Sequence, residues 1–290
     1  LLLAGGISLP LLASTAAAAA ASPRTIPPIG KQLAELKGSD TVAGDYFGSV
    51  AISGTDAIVG AFSSGRAYVF AETGATWKQV AELKGSDTVG GDDFGMSVAI
   101  SGTTAVVGAY GHAAYSGEAY VFTKTGASWK QVAKLGASDV ATRNYFGSSV
   151  AISGTTAIVG AYGHNPNGAG RAYVFTKTAT GWRQTAELKG SDTVATDSFG
   201  TRVAISGTTA VVGADGHANG AGRAYVFTKT GATWKQVAEL KGSDTVAGDE
   251  FGWSVAISGT TAVVGARNHA KFAGGAYVFT KTGATWKQVA

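Results

Sequence analysis

The sequence lacks cysteine altogether, and only 14% of its 290 residues are charged. Without cysteine the chain has no disulfide framework, no reactive thiol and no lipid-anchored N-terminal cysteine, so its stability must come from packing alone. A strong charge of one sign is also missing: the formal net charge is +4, and the lysines recur along the repeats instead of clustering. Because nucleic-acid binding requires a concentrated basic footprint, nucleic acid is not an expected partner.

Catalytic motifs are missing as well. The sequence contains no HExxH, P-loop or GxSxG motif. The glycine-rich segments 168–171 and 220–223 lack the spacing of a dinucleotide-binding loop. A single active site also needs residues that occur in one place, whereas this chain repeats itself. We therefore expect these residues to form no enzyme and to bind no cofactor.

A long uninterrupted apolar run is likewise missing. The first 21 residues are apolar and rich in alanine, but Gly5, Gly6 and Pro10 interrupt a run that is already too short to span a membrane. The small residues at 16–21 are typical of the end of a secretory signal peptide, here incomplete at its start; a disordered alanine-rich leader is the alternative. Residues 22–30 are expected to form a linker. The sequence thus predicts a secreted or cell-surface protein without membrane insertion.

The sequence does contain one segment that is repeated, with small variations, in five copies. Its copies begin at Phe47, Phe94, Phe146, Phe199 and Phe251, at intervals of 47, 52, 53 and 52 residues. A fixed period near fifty residues indicates a repeat architecture over 31–290. The last copy stops at Ala290, partway through a segment that the other copies complete, which predicts a truncated C-terminus.

Each copy has the pattern of four short strands joined by tight turns. In the second copy Val98 and Ile100 alternate with small residues, and 105–109 is apolar and β-branched, as in a strand buried on both faces. Tyr120 and Phe122 share one face of a third strand. The fourth segment (76–85 in the first copy) also fits a short helix with a glycine cap. We favour a strand because the segment closely follows a hairpin-like run.

One such sheet has two apolar faces, so neighbouring copies must stack to bury them. Radial stacking gives a β-propeller and linear stacking a solenoid, and the repeat length favours the propeller. The predicted fold class is an all-β propeller of about five four-stranded antiparallel blades, either as a full ring or as part of a larger one. Each phenylalanine is expected to wedge between neighbouring sheets, and 31–38 to add an outer strand that closes the ring on the last blade.

Phe-Gly before one strand, Gly-Ala after the next and Ala-Tyr-Val-Phe in the third together resemble the FG-GAP repeat of integrin-α-type β-propellers, as found in secreted bacterial proteins. All five copies carry both dipeptides, and the glycines of Gly-Ala are Gly60, Gly108, Gly160, Gly213 and Gly265. The resemblance covers roughly 32–290, which is nearly the whole mature chain. It implies a β-propeller, about seven blades in an intact protein, and a role in protein binding or cell adhesion.

The chain departs from the family pattern at two places. The proline expected after Gly-Ala is replaced by Phe62, Tyr110, Tyr162, Asp215 or Arg267. Many members bind Ca²⁺ through an Asp-x-Asp-x-Asp-Gly loop between the first two strands, where this chain offers only Asp56. Because calcium needs about six to eight oxygen ligands, we expect no specific calcium site. A large thermal shift with millimolar Ca²⁺, abolished by a chelator, would contradict this expectation.

Four histidines occupy matching positions in the later copies: His112, His164, His217 and His269. They suggest a metal, but sheets stacked about 10 Å apart cannot bring equivalent positions of separate blades within metal–nitrogen bonds of about 2 Å. A structural role in the loop is the favoured interpretation, and no metal site is predicted.

Paired aspartates, such as Asp87 with Asp92 and Asp244 with Asp249, precede Phe-Gly. A cation site or an acid–base pair is one interpretation. We favour carboxylates that accept backbone N–H groups in a turn. The third copy supports this choice, because it has Asn144 near the second position.

The loops after Gly-Ala (62–65, 110–117, 162–170, 215–222 and 267–274) differ between copies whose strands are nearly identical. Binding function concentrates in loops on a rigid scaffold, while neutral drift is the alternative. The candidate binding residues are Phe62, Tyr110, His112, Tyr115, Tyr162, His164, Asp215, His217, Arg267, His269 and Phe272.

The leading hypothesis is a secreted, monomeric, non-enzymatic binding or adhesion module that contacts an extracellular protein through one side of the ring. The alternative is a multivalent glycan-binding propeller with Tyr110, Tyr115, Tyr162 and Phe272 as stacking platforms. A non-catalytic domain of a larger secreted enzyme ranks third. True multivalent sites should be equivalent, yet tyrosine is not repeated in every loop, which favours contact with a protein.

Overall fold

The computed structural model describes residues 32–139, 141–164 and 168–290. The chain divides into two units, Leu1–Leu33 and Ala34–Ala290, and the second unit contains the strands. The predicted signal peptide (1–21) and linker (22–30) lie outside the described residues. In the described part of the chain, no helix has the length and apolar character needed to cross a membrane.

The second unit consists of five four-stranded antiparallel sheets, here called blades 1 to 5, and in each sheet the strands follow chain order. The strands of blades 1 to 3 are β1 (Phe47–Ser53), β2 (Asp56–Ala61), β3 (Arg66–Thr73), β4 (Thr76–Leu83); β5 (Ser97–Ser101), β6 (Thr104–Ala109), β7 (Glu118–Thr125), β8 (Ser128–Leu135); β9 (Ser149–Ser153), β10 (Thr156–Ala161), β11 (Arg171–Thr178) and β12 (Gly181–Leu188). Those of blades 4 and 5 are β13 (Val203–Ser206), β14 (Thr209–Ala214), β15 (Arg223–Thr230), β16 (Thr233–Leu240); β17 (Phe251–Ser258), β18 (Thr261–Ala266), β19 (Gly275–Thr282) and β20 (Thr285–Gln288).

The blades are arranged as a propeller. The first strands of successive blades (β1, β5, β9, β13 and β17) lie next to one another, so they form the innermost layer. The predicted all-β propeller with four-stranded blades is confirmed, and the linear solenoid is wrong. The helical alternative for 76–85 is also wrong, because this segment contains the outer strand β4, whose side chains alternate between exposed and half-buried.

The hydrophobic core lies between neighbouring sheets. At the first junction Ile58 and Val69 of blade 1 pack with Phe94, Val98 and Ile100 of blade 2. Equivalent residues form the junctions between blades 2 and 3, 3 and 4, and 4 and 5. Phe94 is fully buried. The predicted wedging of the Phe-Gly phenylalanine between sheets is therefore confirmed.

The glycines of Phe-Gly and Gly-Ala face each other across each junction between blades. A Cβ atom on Gly60 would lie 1.9 Å from the carbonyl oxygen of Gly95 in the next blade. A Cβ on Gly95 would lie 2.3 Å from the carbonyl oxygen of Arg66 in the preceding blade. The same approach recurs for Gly108 with Gly147, Gly160 with Gly200, and Gly213 with Gly252. The two backbones meet here with no room for a side chain, which explains why both motif positions require glycine.

The first and last blades each leave one apolar face uncovered among the described residues. Val50 of β1 is 69% exposed, whereas the equivalent Val98 of β5 is 8% exposed. At the other end Val263 of β18 is 38% exposed, whereas the equivalent Val211 is fully buried. Blades 1 and 5 therefore do not cover each other in the way that consecutive blades do.

The predicted closing strand at 31–38 is wrong. Lys31 lies outside the described residues, and 32–38 form no strand. Leu36 instead packs on the apolar cluster of blade 1 that includes Val59 and Tyr68. The segment that follows is tied to the same blade, because the Tyr68 hydroxyl donates a hydrogen bond of 2.7 Å to Asp40. Apolar contact and this bond hold the segment on blade 1, while β20 pairs with β19.

Candidate functional site

The variable loops join the second and third strands of each blade. Three of them contain a single helical turn with left-handed residues at its centre: α1 (His112–Tyr115), α2 (His217–Gly220) and α3 (His269–Phe272). Near their ends Gly117, Gly170 and Gly222 form parallel β-bridges with the Phe-Gly phenylalanine of the following blade. The loops that end near Gly117, Gly170 and Gly222 are thus held by their own blade and by the following one, and their first residues lie near the innermost strands.

The residue before each Phe-Gly adopts a left-handed backbone conformation although none is glycine. Tyr46, Asp93, Tyr145, Ser198 and Glu250 have φ angles of 50°, 55°, 54°, 58° and 56°. Such conformations are uncommon for residues with a side chain and persist where the surrounding structure imposes them, often at ligand sites. Four of these residues contact the residue that follows Gly-Ala in the same blade. We call the two residues at these positions the inner pair of a blade.

Two inner pairs are stacked aromatic rings. In blade 1 the rings of Tyr46 and Phe62 lie 5.0 Å apart, with 16° between their planes. In blade 3 those of Tyr145 and Tyr162 lie 4.9 Å apart, with 3° between their planes. Tyr115 extends the aromatic surface, since its ring centroid is 5.6 Å from that of Tyr145.

Two further inner pairs are polar. In blade 2 Tyr110 donates a hydrogen bond to Asp93, and burial together with this carboxylate raises the pKa of Tyr110 to about 12. In blade 5 Glu250 forms an ion pair with Arg267. Each residue that follows Gly-Ala is therefore matched by a residue of suitable chemistry before Phe-Gly, except in blade 4.

The inner pair of blade 4 is unmatched. The Ser198 hydroxyl donates to the Thr196 carbonyl oxygen at 3.4 Å, and no recorded bond joins it to Asp215. The Oδ1 atom of Asp215 is buried without a hydrogen-bond partner. Burial raises the pKa of the Asp215 carboxyl above its ordinary value, as does the negative charge of Glu250, while its own backbone N–H and the positive charges of Arg202 and Arg267 oppose this shift.

A cavity of about 280 Å³ opens where these residues meet the innermost strands. We call it the axial pocket. Its lining residues are Met96, Tyr110, Ser148, Tyr162, Ser198, Thr201, Arg202, Asp215 and Trp253. The volume lies near the lower end of the range for small-molecule sites, which are mostly apolar with a few polar groups that fix orientation.

The pocket wall contributed by blades 4 and 5 is basic and aromatic. The guanidinium carbon of Arg202 lies 5.2 Å from the ring centroid of Trp253, and that of Arg267 lies 3.4 Å from it. Burial lowers the pKa of the Arg202 guanidinium, the Arg267 charge lowers it further, and Asp215 acts in the opposite direction. Among the described residues, Arg202 forms no ion pair within 4.0 Å. Its Nη1 atom donates a hydrogen bond of 2.7 Å to the Thr201 carbonyl oxygen.

Sequence reasoning named three of the pocket residues and missed the others. Tyr110, Tyr162 and Asp215 were candidates because they begin the variable loops. Their neighbours in the pocket follow Phe-Gly, a position occupied by Met96, Ser148, Thr201 and Trp253 in blades 2 to 5. The variation at this position, inside an otherwise repeated segment, is the signal that could have found them. Arg202 has the same signature, since the equivalent residues in the other blades are serines.

Three of the predicted candidate histidines contact an aspartate of the segment that precedes the first strand of the same blade. The Nδ1 atoms of His112, His217 and His269 each lie 2.8 Å from the Oδ2 atom of an aspartate: Asp92, Asp197 and Asp249. His164 has no such partner, because blade 3 has Asn144 at that position, and it contacts the hydroxyl of Tyr173 at 3.2 Å. None of these side chains lines the axial pocket.

The aspartates before Phe-Gly hold the loop backbone. Asp92 accepts a hydrogen bond of 2.9 Å from the backbone N–H of Val89, three residues earlier, and Asp197 and Asp249 do the same. The earlier aspartate of the pair, Asp87, instead accepts a bond of 2.9 Å from the hydroxyl of Tyr120. The later aspartate thus holds the loop backbone and the earlier one a tyrosine, and His112 lies between the two, 2.8 Å from Asp92 and 3.9 Å from Asp87.

Among the described residues, two clusters of histidine and carboxylates have a geometry that could hold a metal ion. They are Asp87, His112 and Glu118, and Asp192, His217 and Glu239, with ligand atoms within 4.8 Å of one another. In the first cluster the Lys134 ammonium lies 2.6 Å from Asp87 and 3.2 Å from Glu118. In the second the Arg223 guanidinium lies 2.7 Å from Glu239. A metal ion would have to compete with these side-chain cations, so the prediction of no metal is retained.

The pair of His269 and Asp249 predicts a pH dependence of stability. The hydrogen bond to Asp249 raises the pKa of His269, so this contribution is present below about pH 6.5 and is lost as pH rises through the folded-state value. The same bond, with that from the Val246 N–H, lowers the pKa of Asp249, so the second contribution is lost as the solution becomes acidic, below about pH 4.

We therefore expect the stability difference between the natural chain and His269→Gln to be largest between about pH 4 and 6.5 and smaller at pH 8. The urea midpoint of both proteins, measured across this range, provides the check. His164→Gln is the matched control, since His164 has no aspartate on its Nδ1 atom. Equal differences at pH 5.5 and 8 would contradict the prediction.

Besides the histidines, four predicted candidates are not part of the pocket wall: Phe62, Tyr115, Arg267 and Phe272. Phe272 in α3 is 81% exposed, and Tyr115 in α1 is 46% exposed. Phe62 stacks on Tyr46 beside a shallower depression, while Arg267 reaches the pocket indirectly through Trp253. The structure therefore brings Tyr110, Tyr162 and Asp215 into one site and leaves the histidines and Phe272 outside it.

Comparison with known proteins gives similar solved structures, one of which is described here, and a family. The crystal structure of Sqt1 from Saccharomyces cerevisiae is similar over 85% of this chain, with 13% sequence identity and a TM-score of 0.48. The match covers 63% of that protein, so the chain spans less than two thirds of its length. No sequence relative is found among curated proteins. The FG-GAP repeat matches five times, at residues 31–70, 77–122, 129–175, 182–227 and 234–279, and the chain therefore belongs to the FG-GAP repeat family.

Proposed function

We propose that this chain is a non-enzymatic, extracellular binding module whose ligand binds in the axial pocket. The observation that carries the proposal is that variable positions from different blades lie close together. Among the positions at which the blades differ most, three of the five after Gly-Ala (Tyr110, Tyr162 and Asp215) and four after Phe-Gly (Met96, Ser148, Thr201 and Trp253) line one cavity between blades 2 to 5. The strands that carry them are nearly identical from blade to blade. Variable residues that line a cavity on a rigid scaffold are typical of a ligand site.

The extracellular location rests on the family and on the N-terminal segment. FG-GAP repeats are typical of extracellular proteins. The apolar, alanine-rich residues 1–21 fit a secretory signal. The lack of cysteine is compatible with this location, because packing between blades supplies the stability that disulfides supply in small secreted domains.

Contact with an extracellular protein through the loop rim is a second candidate function. Phe272 and Tyr115 are large, exposed apolar residues at the tips of α3 and α1. Exposed aromatic residues are common at protein–protein interfaces. The rim and the axial pocket can be distinguished, because the two sets of residues do not overlap.

The test is a screen of glycan and surface-protein arrays with the natural chain and three variants. The pocket variant carries Arg202→Ser and Trp253→Ser, which are residues that other blades have at these positions. The rim variant carries Tyr115→Ala and Phe272→Ala. The control variant carries Lys130→Ser and Lys235→Ser on outer strands, where both lysines are exposed.

We expect the pocket variant to lose the ligand and the control and rim variants to keep it. Loss in the rim variant alone would favour the second candidate function. Retention in both the pocket and rim variants would contradict a binding role for the loop face.

A further inference from the structure

Two polar groups of the axial pocket restrict the ligand, because among the described residues one lacks a hydrogen-bond donor and the other lacks an ion-pair partner within 4.0 Å. The first is the buried Oδ1 atom of Asp215, which accepts no hydrogen bond. In the other four blades the residue after Gly-Ala is matched by its inner-pair partner. Since an unsatisfied buried acceptor is costly, a ligand that offers a hydroxyl donor would gain affinity here.

The second group is the guanidinium of Arg202. This side chain is half-buried and lines the same pocket. Among the described residues it forms no ion pair with a carboxylate within 4.0 Å, and it donates a hydrogen bond only to a backbone carbonyl oxygen. Arg267 adds a second positive charge nearby but is itself paired with Glu250. Arginine presents several N–H donors in a planar fork that matches a carboxylate. Arg202 therefore favours a ligand with one carboxylate.

The remaining wall is aromatic and weakly polar. Tyr110 and Tyr162 provide ring surfaces, and Ser148 and Thr201 provide hydroxyl groups. Aromatic rings in a pocket suit ligands that have an apolar face as well as polar edges. The cavity of about 280 Å³ has room for one small ring rather than for a peptide segment.

We propose that the axial pocket binds a single carboxylate-bearing sugar residue, with Arg202 on the carboxylate and Asp215 on a hydroxyl group. This inference rests on the proposed function and specifies its ligand. The unequal loops counted against a glycan ligand, because multivalent sites should be equivalent, and this inference removes that objection. The site is one pocket to which the blades contribute different groups, so tyrosine need not recur in every loop.

The experiment titrates the full chain with D-glucuronate and D-galacturonate, with D-glucose and the methyl ester of glucuronate as uncharged controls. Binding is followed by calorimetry and by the shift of the Trp253 indole resonance. We expect at least one uronate to bind, and glucose and the ester to bind at least tenfold more weakly. An oligosaccharide that ends in glucuronate distinguishes a free sugar acid from the terminus of a glycan.

Arg202→Ser introduces the serine found in the other blades and is expected to weaken uronate binding at least tenfold. Arg202→Lys keeps the charge but loses the planar fork, so it should bind with intermediate affinity. Arg183→Ser, on the outer strand β12, is the control and should leave binding unchanged. An unchanged thermal midpoint shows that each variant is folded.

Three results would overturn the inference: no uronate binding by the natural chain, equal affinity for glucuronate and glucose, or unchanged binding in Arg202→Ser. If the arrays reveal an uncharged ligand that needs the pocket, this inference fails while the proposed function stands. If no array ligand depends on the pocket, both fail.

Discussion

Gly60→Ala is expected to destabilise the chain by about 3 kcal/mol or more, because overpacking against a backbone that cannot relax is among the costly substitutions. The new Cβ atom would lie 1.9 Å from the carbonyl oxygen of Gly95 in the next blade. A backbone oxygen cannot rotate away as a side chain can, so the two blades must separate. The free energy of unfolding in urea measures the effect.

Gly265→Ala is the matched control for this substitution. Gly265 has the same position in the Gly-Ala motif of blade 5, but no following blade faces it among the described residues. Its Cβ would meet the Ser254 hydroxyl at 2.3 Å, which a rotation of that side chain relieves. We expect a change of less than about 1 kcal/mol. Equal losses for the two variants would show that the motif glycine serves its own blade and not the junction.

Phe146→Ala is expected to cost about 3–5 kcal/mol, the usual range for removing a buried aromatic ring. Phe146 is 1% exposed, and its ring lies 5.6 Å from that of Tyr173 and 5.9 Å from that of Phe175. It also packs on residues of blade 2, including Val121. The loss of this ring leaves a cavity between two sheets.

Phe47→Ala shows how much of the free energy lost in Phe146→Ala depends on the neighbouring blade. Phe47 has equivalent partners in its own blade, with ring centroids 5.8 Å from Tyr68 and 6.3 Å from Phe70. It is only half-buried, because no blade precedes it in the described chain. We expect a clearly smaller loss of unfolding free energy than for Phe146→Ala. If the two substitutions cost the same, burial between blades is not what the Phe-Gly phenylalanine contributes.

Much of the fold was predictable because the strands obey local rules and are repeated. Alternation in β5, the β-branched run in β6 and the shared face of Tyr120 and Phe122 are all visible in the sequence and present in the structure. The outer strand was ambiguous in sequence, since its apolar residues also fit a helical spacing. Its pairing with the third strand decides the matter. The prediction of a closing strand at 31–38 was wrong because tertiary contacts with blade 1 fix the position of 32–38, and no local sequence pattern shows these contacts.

The pocket was only partly predictable, because it is made by residues far apart in the chain. Tyr110 and Asp215 are separated by about a hundred residues, and only the curvature of the propeller brings them together. The inner pairs depend on a left-handed residue before Phe-Gly, and nothing in the local sequence requires that conformation for Tyr145 or Glu250. Position-by-position comparison of the five copies would have singled out Arg202 and Trp253 as departures from the repeat.

The tryptophans supply the most direct test of the axial pocket as the ligand site. Five of the six are equivalent residues on the outer strands, Trp77, Trp129, Trp182, Trp234 and Trp286, whereas Trp253 lines the pocket. A ¹⁵N-labelled chain therefore carries one indole reporter in the pocket and five outside it. Titration with any ligand that the arrays identify should shift the Trp253 indole signal and leave the other five in place. Shifts confined to the outer-strand indoles, with Trp253 unmoved at saturation, would contradict the assignment of the ligand site to the axial pocket.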